Sequence, residues 1–151
     1  MRRSFVWLLL GALAGALWVT GAPARADQRR RDLIDRTFVS RKVTKDGEPR
    51  PLVPGTRIEL TFEERKQEDV ARWEAGCNIL GGTVDVKSRR LFIGRVSGTQ
   101  VGCKDELHEQ DAWLRRFFKR DPFWKFRNRG EGRDRLLLRS KGTRIKFVAR
   151  D

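Results

Sequence analysis

A single histidine, His108, and one pair of cysteines, Cys77 and Cys103, are all that this 151-residue chain offers of imidazole and thiol groups; acids are plentiful, but spacing alone does not mark a paired-carboxylate site among them. The cysteines lack the spacing of a zinc knuckle and one histidine cannot complete a site with them, so no metal is expected. No G-x-S-x-G, H-E-x-x-H or glycine-rich phosphate loop occurs, which leaves the commonest hydrolase, metalloprotease and nucleotide-binding classes without their signature residues. Cys103 and His108 lie five residues apart. A nucleophile-and-base reading of that pair loses to a plainer one, a disulfide cysteine beside a solvent-facing histidine on a helix. The chain is read as a non-enzyme without a cofactor. Internal repeats and low-complexity segments are absent as well.

The long apolar run near the start, Phe5 to Val19, has fifteen residues, short of the roughly 20 that a membrane-crossing helix needs. Arg2 and Arg3 precede it, and Ala24-Arg25-Ala26 follows with the small-x-small pattern of signal peptidase. Residues 1–26 therefore read as a secretory signal, with Asp27 opening the mature chain. No cysteine directly follows the run, so attachment of lipid at an amino-terminal cysteine is not expected. The location anticipated is periplasmic or secreted, and the protein is not a lipoprotein. In an oxidising compartment Cys77 and Cys103 favour a disulfide over two free thiols. Closing the 25 residues between them would stabilise the fold by about 3.5 kcal/mol through loop entropy.

What remains after residue 26 suits a single domain with one core. Residues 27–36 are polar and arginine-rich and read as a flexible basic lead-in, although Leu33 and Ile34 could pack against the domain, which is placed at 37–151. Ile58, Leu60 and Phe62 alternate with Arg57, Glu59 and Thr61, the period of a strand with one buried face. Ala71, Trp73 and Ala75 continue the extended pattern. Val84 and Val86, then Leu91 and Ile93, flank the polar turn Lys87-Ser88-Arg89-Arg90, as in a hairpin. A second hairpin joins Leu136 and Leu138 to Ile145 and Phe147 through Ser140-Lys141-Gly142-Thr143, and the strand starting at Trp124 and Phe126 pairs with it. From Asp105 to Lys119, by contrast, Leu107, Leu114, Phe117 and Phe118 share a helical face, with acids at the amino end, Arg115, Arg116 and Lys119 at the carboxyl end, and Pro122 beyond. The class expected is α+β, mostly antiparallel sheet packed on one helix. Gly76, Asn78, Gly81 and Gly82 read as a structural corner beside the first cysteine, because glycine and asparagine tolerate positive φ.

Gly76-Cys77-Asn78, followed by Gly81-Gly82-Thr83, Leu91-Phe92-Ile93 and Thr99-Gln100-Val101-Gly102-Cys103, and then by a helix with an acidic start ending in Leu114, resembles the META domain, the HslJ-like heat-shock protein family. The likeness runs from about Thr37 to Val148. Thr83 stands where the family usually has an aromatic residue, and Val101 where it often has methionine. The resemblance implies a curved antiparallel half-barrel around one helix, Gly76, Asn78, Gly81 and Thr99 as motif positions, and an envelope or secreted location. It also implies associations with heat shock, novobiocin resistance, motility or virulence, and carries no catalytic residues or cofactor. Many members are lipoproteins, an anchoring that the missing cysteine speaks against here.

Acidic residues are scarce in one place above all. Residues 27–114 carry 17 basic and 16 acidic side chains, whereas residues 115–151 carry 14 basic and 4 acidic ones, so +10 of the +11 carried by residues 27–151 lies in the last 37 residues. If Trp124, Phe126, Leu136, Leu138, Ile145 and Phe147 point inward, then Lys125, Arg127, Arg135, Arg139, Arg144 and Lys146 point outward together. Such a face would bind polyanions. The arginines suit bidentate contacts to phosphate better than lysines would. The partner expected is an anionic envelope component, either phospholipid headgroups or a wall polymer, or an acidic protein; the chain is expected to be a monomer that does not meet intracellular nucleic acid. A second class of function is a small hydrophobic-ligand carrier, with an apolar pocket near Trp73, Trp113 and Phe117.

Overall fold

The computed structural model describes residues 27–130 and 132–150, so the segment read as a secretory signal lies outside the described residues. Ten strands form one antiparallel sheet along the path β6-β5-β4-β3-β1-β10-β9-β8. These strands are β1 (Arg36–Lys45), β2 (Glu48–Pro49), β3 (Glu59–Arg65), β4 (Glu68–Glu74), β5 (Leu80–Val86), β6 (Leu91–Ile93), β7 (Ser97–Gly98), β8 (Phe123–Arg129), β9 (Gly132–Ser140) and β10 (Thr143–Ala149). The two-residue strands β2 and β7 pair with β1 and β5. The helix α1 (Asp105–Phe118) stands between β7 and β8.

Right-handed strand twist accumulates along such a path until its ends approach each other. Here β6 and β8 nearly meet. Arg90 forms a backbone bridge with Phe123, the Leu91 amide donates to the Pro122 carbonyl at 3.1 Å and the Trp124 amide to the Arg89 carbonyl at 3.0 Å. The result is a nearly closed half-barrel, the α+β architecture expected.

Both expected hairpins are present, β5–β6 and β9–β10. In the second, Lys141 at φ 41° and Gly142 at φ 75° make a two-residue turn with both centres left-handed, the twist that joins adjacent antiparallel strands without splaying them. Leu60, Phe62, Ala71, Trp73, Leu136, Leu138, Ile145 and Phe147 are buried on the inner face. Against them α1 packs Leu114, Phe117 and Phe118, with Trp73 stacked on Phe118 at 4.0 Å between ring centroids. One hydrophobic core results.

Residues 27–31 form a helical turn, and the chain then buries Leu33 and Ile34 in the core before β1 begins. Arg30 ties this segment to the β3–β4 turn, donating to Asp69 and to Glu64. Asp69 first and Glu64 second hold its guanidinium above its already high ordinary range. The segment read as a lead-in thus contributes side chains to the domain.

Strand β1 has no counterpart in the sequence reading. Its register against β10 shifts between Ser40 and Lys42, a bulge that accommodates one extra residue. Phe38 and Val43 are therefore both buried although they lie an odd number of residues apart, and simple alternation fails across the strand.

Candidate anion-binding face

Strands β8, β9, β10 and β1 lie side by side, and alternation turns every second residue of each to the outside. The six cations singled out from the sequence, Lys125, Arg127, Arg135, Arg139, Arg144 and Lys146, are all exposed, while Leu136, Leu138, Ile145 and Phe147 are buried and Trp124 and Phe126 partly so. The ladder arranges the outer residues in rows across the strands. One row runs Phe123, Arg139, Arg144, Thr44; the next runs Lys125, Leu137, Lys146, Lys42; a third contains Arg127, Arg135 and Val148. Three of the cross-strand neighbours are like-charged pairs: Arg139 with Arg144, Lys146 with Lys42, and Arg127 with Arg135. Like charges placed directly opposite destabilise a sheet by some tenths of a kcal/mol, up to about 1 kcal/mol, per pair.

Among the described residues no carboxylate pairs with Lys42 or with any of the six to relieve this repulsion. The acids that do pair are engaged elsewhere, as in Arg36–Asp134, Arg72–Glu63 and Arg150–Glu59. Lys42, Arg90 and Phe123 belong to this surface but were not legible as such. Lys42 is hidden by the β1 bulge, and the Arg90–Phe123 contact, with the guanidinium 4.0 Å from the ring centroid, exists only because the sheet ends meet.

The second constellation lies at the disulfide. Cys77 and Cys103 are joined, their Cα atoms 6.3 Å apart, so Cys103 has no thiol to act as a nucleophile. Asn78 is buried and joins three segments. Its Oδ1 accepts from the Thr99 hydroxyl at 3.0 Å and from the Val101 amide at 2.8 Å, while its Nδ2 donates to Asp111 Oδ2 at 3.0 Å. The same carboxylate oxygen accepts the Asn78 amide at 3.0 Å. Thr99 Oγ1 also accepts the Ile79 amide at 3.1 Å. One residue earlier on α1, Gln110 donates to the Ala75 carbonyl at 2.7 Å and to the Thr56 hydroxyl at 3.0 Å, and accepts from the Val53 amide at 2.8 Å. His108 is exposed, yet its Nε2 accepts the Cys103 amide at 3.1 Å. Asp111 Oδ1 is buried without a partner among the described residues; the other buried polar groups of this network are bonded, and such groups fix a unique arrangement of loop, strand and helix.

Three glycines of the corner are required by space. Gly76 has φ +100°, and a Cβ there would sit 2.6 Å from Thr56 Cγ2. At Gly81 a Cβ would come within 2.8 Å of the Ala71 carbonyl oxygen on β4, and at Gly82 within 2.9 Å of the Arg95 carbonyl oxygen.

A family model described as META domain matches residues 31–151. The chain belongs to the META domain family. Two solved structures are similar to this META domain. The NMR structure of a protein from Burkholderia xenovorans has a TM-score of 0.63 at 19% identity, covering 99% of this chain and 98% of that one. A second NMR structure has a TM-score of 0.52 at 17% identity, covering 78% of this chain and 92% of the other. At such identities the likeness is one of fold. No curated protein matches the chain.

The aromatic residues expected to line a carrier pocket in this META domain are packed on other groups. Trp73 is 1% exposed and Phe117 2%. Phe117 meets Phe118 edge-on at 5.3 Å, and the Arg50 guanidinium covers Trp113 at 4.4 Å from its ring centroid.

Proposed function

We propose that this META domain is an exported, non-enzymatic protein that attaches to anionic phospholipid surfaces through the outer face of β8, β9 and β10. The observation that carries the reading is the set of exposed cations without ion pairs, arranged as like-charged neighbours across strands. An arrangement that repels itself in the free protein gains more from a dense layer of phosphates than scattered cations would, because binding both attracts the layer and screens the internal repulsion. Each Lys or Arg held near an anionic bilayer contributes about 1 kcal/mol. Six of them therefore supply on the order of 6 kcal/mol, an apparent preference of roughly 10⁴ over a neutral surface.

Export is supported by the Cys77–Cys103 disulfide, since such bonds persist in oxidising compartments and are rare where thiols are kept reduced. The heat-shock, novobiocin and motility settings implied by the family resemblance agree with an envelope site of action. Sedimentation with vesicles tests the proposal. The protein should pellet with phosphatidylglycerol vesicles at low salt and stay in solution with phosphatidylcholine vesicles. Equal behaviour with both would overturn it.

A further inference from the structure

The basic face is not uniform, and one end of it is shaped. Around Phe123 two open grooves adjoin. One, of about 330 Å³, holds no acid and is lined by Phe123, Arg139, Arg144 and the Ser140–Thr143 turn. In the other, of about 440 Å³, Phe123 and Arg139 are joined by Arg89, Lys125 and the carboxylate of Asp32. Phe123 is 39% exposed, and Arg90 lies over its ring. On the basis of the proposed function, we infer that Arg139 and Arg144 form a two-arginine clamp for the phosphate of a single phospholipid headgroup, with Phe123 as the apolar wall beside it.

Register explains why these two arginines can act on one phosphate. The Trp124 amide points away from β9, toward Arg89. Its neighbour Phe123 therefore faces β9, and Phe123 and Arg139 are the hydrogen-bonded partners. Arg139 and Arg144 consequently occupy a non-hydrogen-bonded position, the one at which Cα atoms approach to about 4.5 Å and side chains lie closest. The tight turn at Lys141-Gly142 immediately beyond holds the two strands at that spacing. Two guanidinium forks on so short a base converge on one tetrahedral anion, and each can present two N–H groups to its oxygens. Phe123 completes a membrane-facing arrangement: an exposed ring next to the clamp enters the region between headgroups and acyl chains, where aromatic side chains are favoured. Of the other two like-charged pairs, Lys42 and Lys146 attract phosphate as point charges without a fork, and Arg127 and Arg135 are a second arginine pair, set further along β8 and β9 and lining neither groove.

Charge-preserving variants separate a clamp from diffuse attraction. The double variant Arg139→Lys and Arg144→Lys keeps every positive charge and should weaken binding to phosphatidylglycerol vesicles by about tenfold. A matched pair outside the face, Arg57→Lys with Arg116→Lys, should bind as the unaltered protein does. Phe123→Ala should weaken binding as well, and free glycerol phosphate should compete with vesicles for the unaltered protein only. Wild-type binding by the Arg139→Lys/Arg144→Lys protein, with folding verified by circular dichroism, would overturn the clamp. So would an equal loss in the matched pair. If charge reversal on the face abolishes binding while the lysine pair leaves it intact, the clamp fails and the broader proposal stands. If charge reversal has no effect, the broader proposal fails. Tighter binding to a short oligodeoxythymidylate than to vesicles would assign the clamp to a phosphodiester strand and overturn its assignment to lipid.

Discussion

Arg139 and Arg144 stand directly opposite each other on β9 and β10, and among the described residues no carboxylate is paired to either. A sheet built for stability alone would place an acid or a neutral residue at one of these positions, as Thr37 and Thr61 do across β1 and β3 with a 3.0 Å hydroxyl contact. The repeated like-charge pairing on one face is most simply understood as a surface whose partner brings the negative charge.

Lys42 extends that surface onto β1 opposite Lys146. Lys42→Gln and Lys146→Gln should each weaken vesicle binding by about 1 kcal/mol, roughly fivefold. Titration of the two single variants against phosphatidylglycerol vesicles measures this; an effect at Lys146 alone would confine the contact to the last three strands.

Ionic strength should act strongly. Raising salt from about 0.01 M to 0.15 M shortens the screening length from roughly 30 Å to 8 Å, so retention on anionic vesicles should fall steeply over that range. Binding that is indifferent to salt would point to apolar insertion as the main source of affinity.

The disulfide corner should matter for stability and not for attachment. Asn78→Ala removes the acceptor of Val101 and Thr99 and the donor to buried Asp111. Thr99 and Val101 are exposed to water and Asp111 Oδ2 keeps the backbone amide of residue 78, so the expected loss is about 1 to 2 kcal/mol. Urea unfolding reports the loss, and the folded variant should still bind vesicles.

Replacing Cys77 and Cys103 by Ser should cost about 3.5 kcal/mol, again seen as a lowered unfolding midpoint. The oxidised protein should show no thiol titratable under native conditions, since its only two cysteines are joined.

Much of this was legible because it is local. Alternation around Leu136, Leu138, Ile145 and Phe147 locates the last hairpin and, by subtraction, its outer cations. The helix follows from spacing and end charges. Strand β1 was not legible, since its bulge shifts the period between Phe38 and Val43, and Lys42 was lost with it. Asn78 could be read as a corner residue, but its partner Asp111 lies 33 positions away on a helix, and nothing local marks that carboxylate as buried. The contact of Arg90 with Phe123 depends on closure of the sheet, a property of its whole path.

The measurement closest to the central claim is retention of the triple variant Arg127→Glu, Arg139→Glu and Arg144→Glu on phosphatidylglycerol vesicles at low salt. Each reversal removes an attraction of about 1 kcal/mol and adds a repulsion of similar size, so retention should vanish while the unfolding midpoint stays at or above that of the unaltered protein. Retention equal to the unaltered protein's would contradict the account.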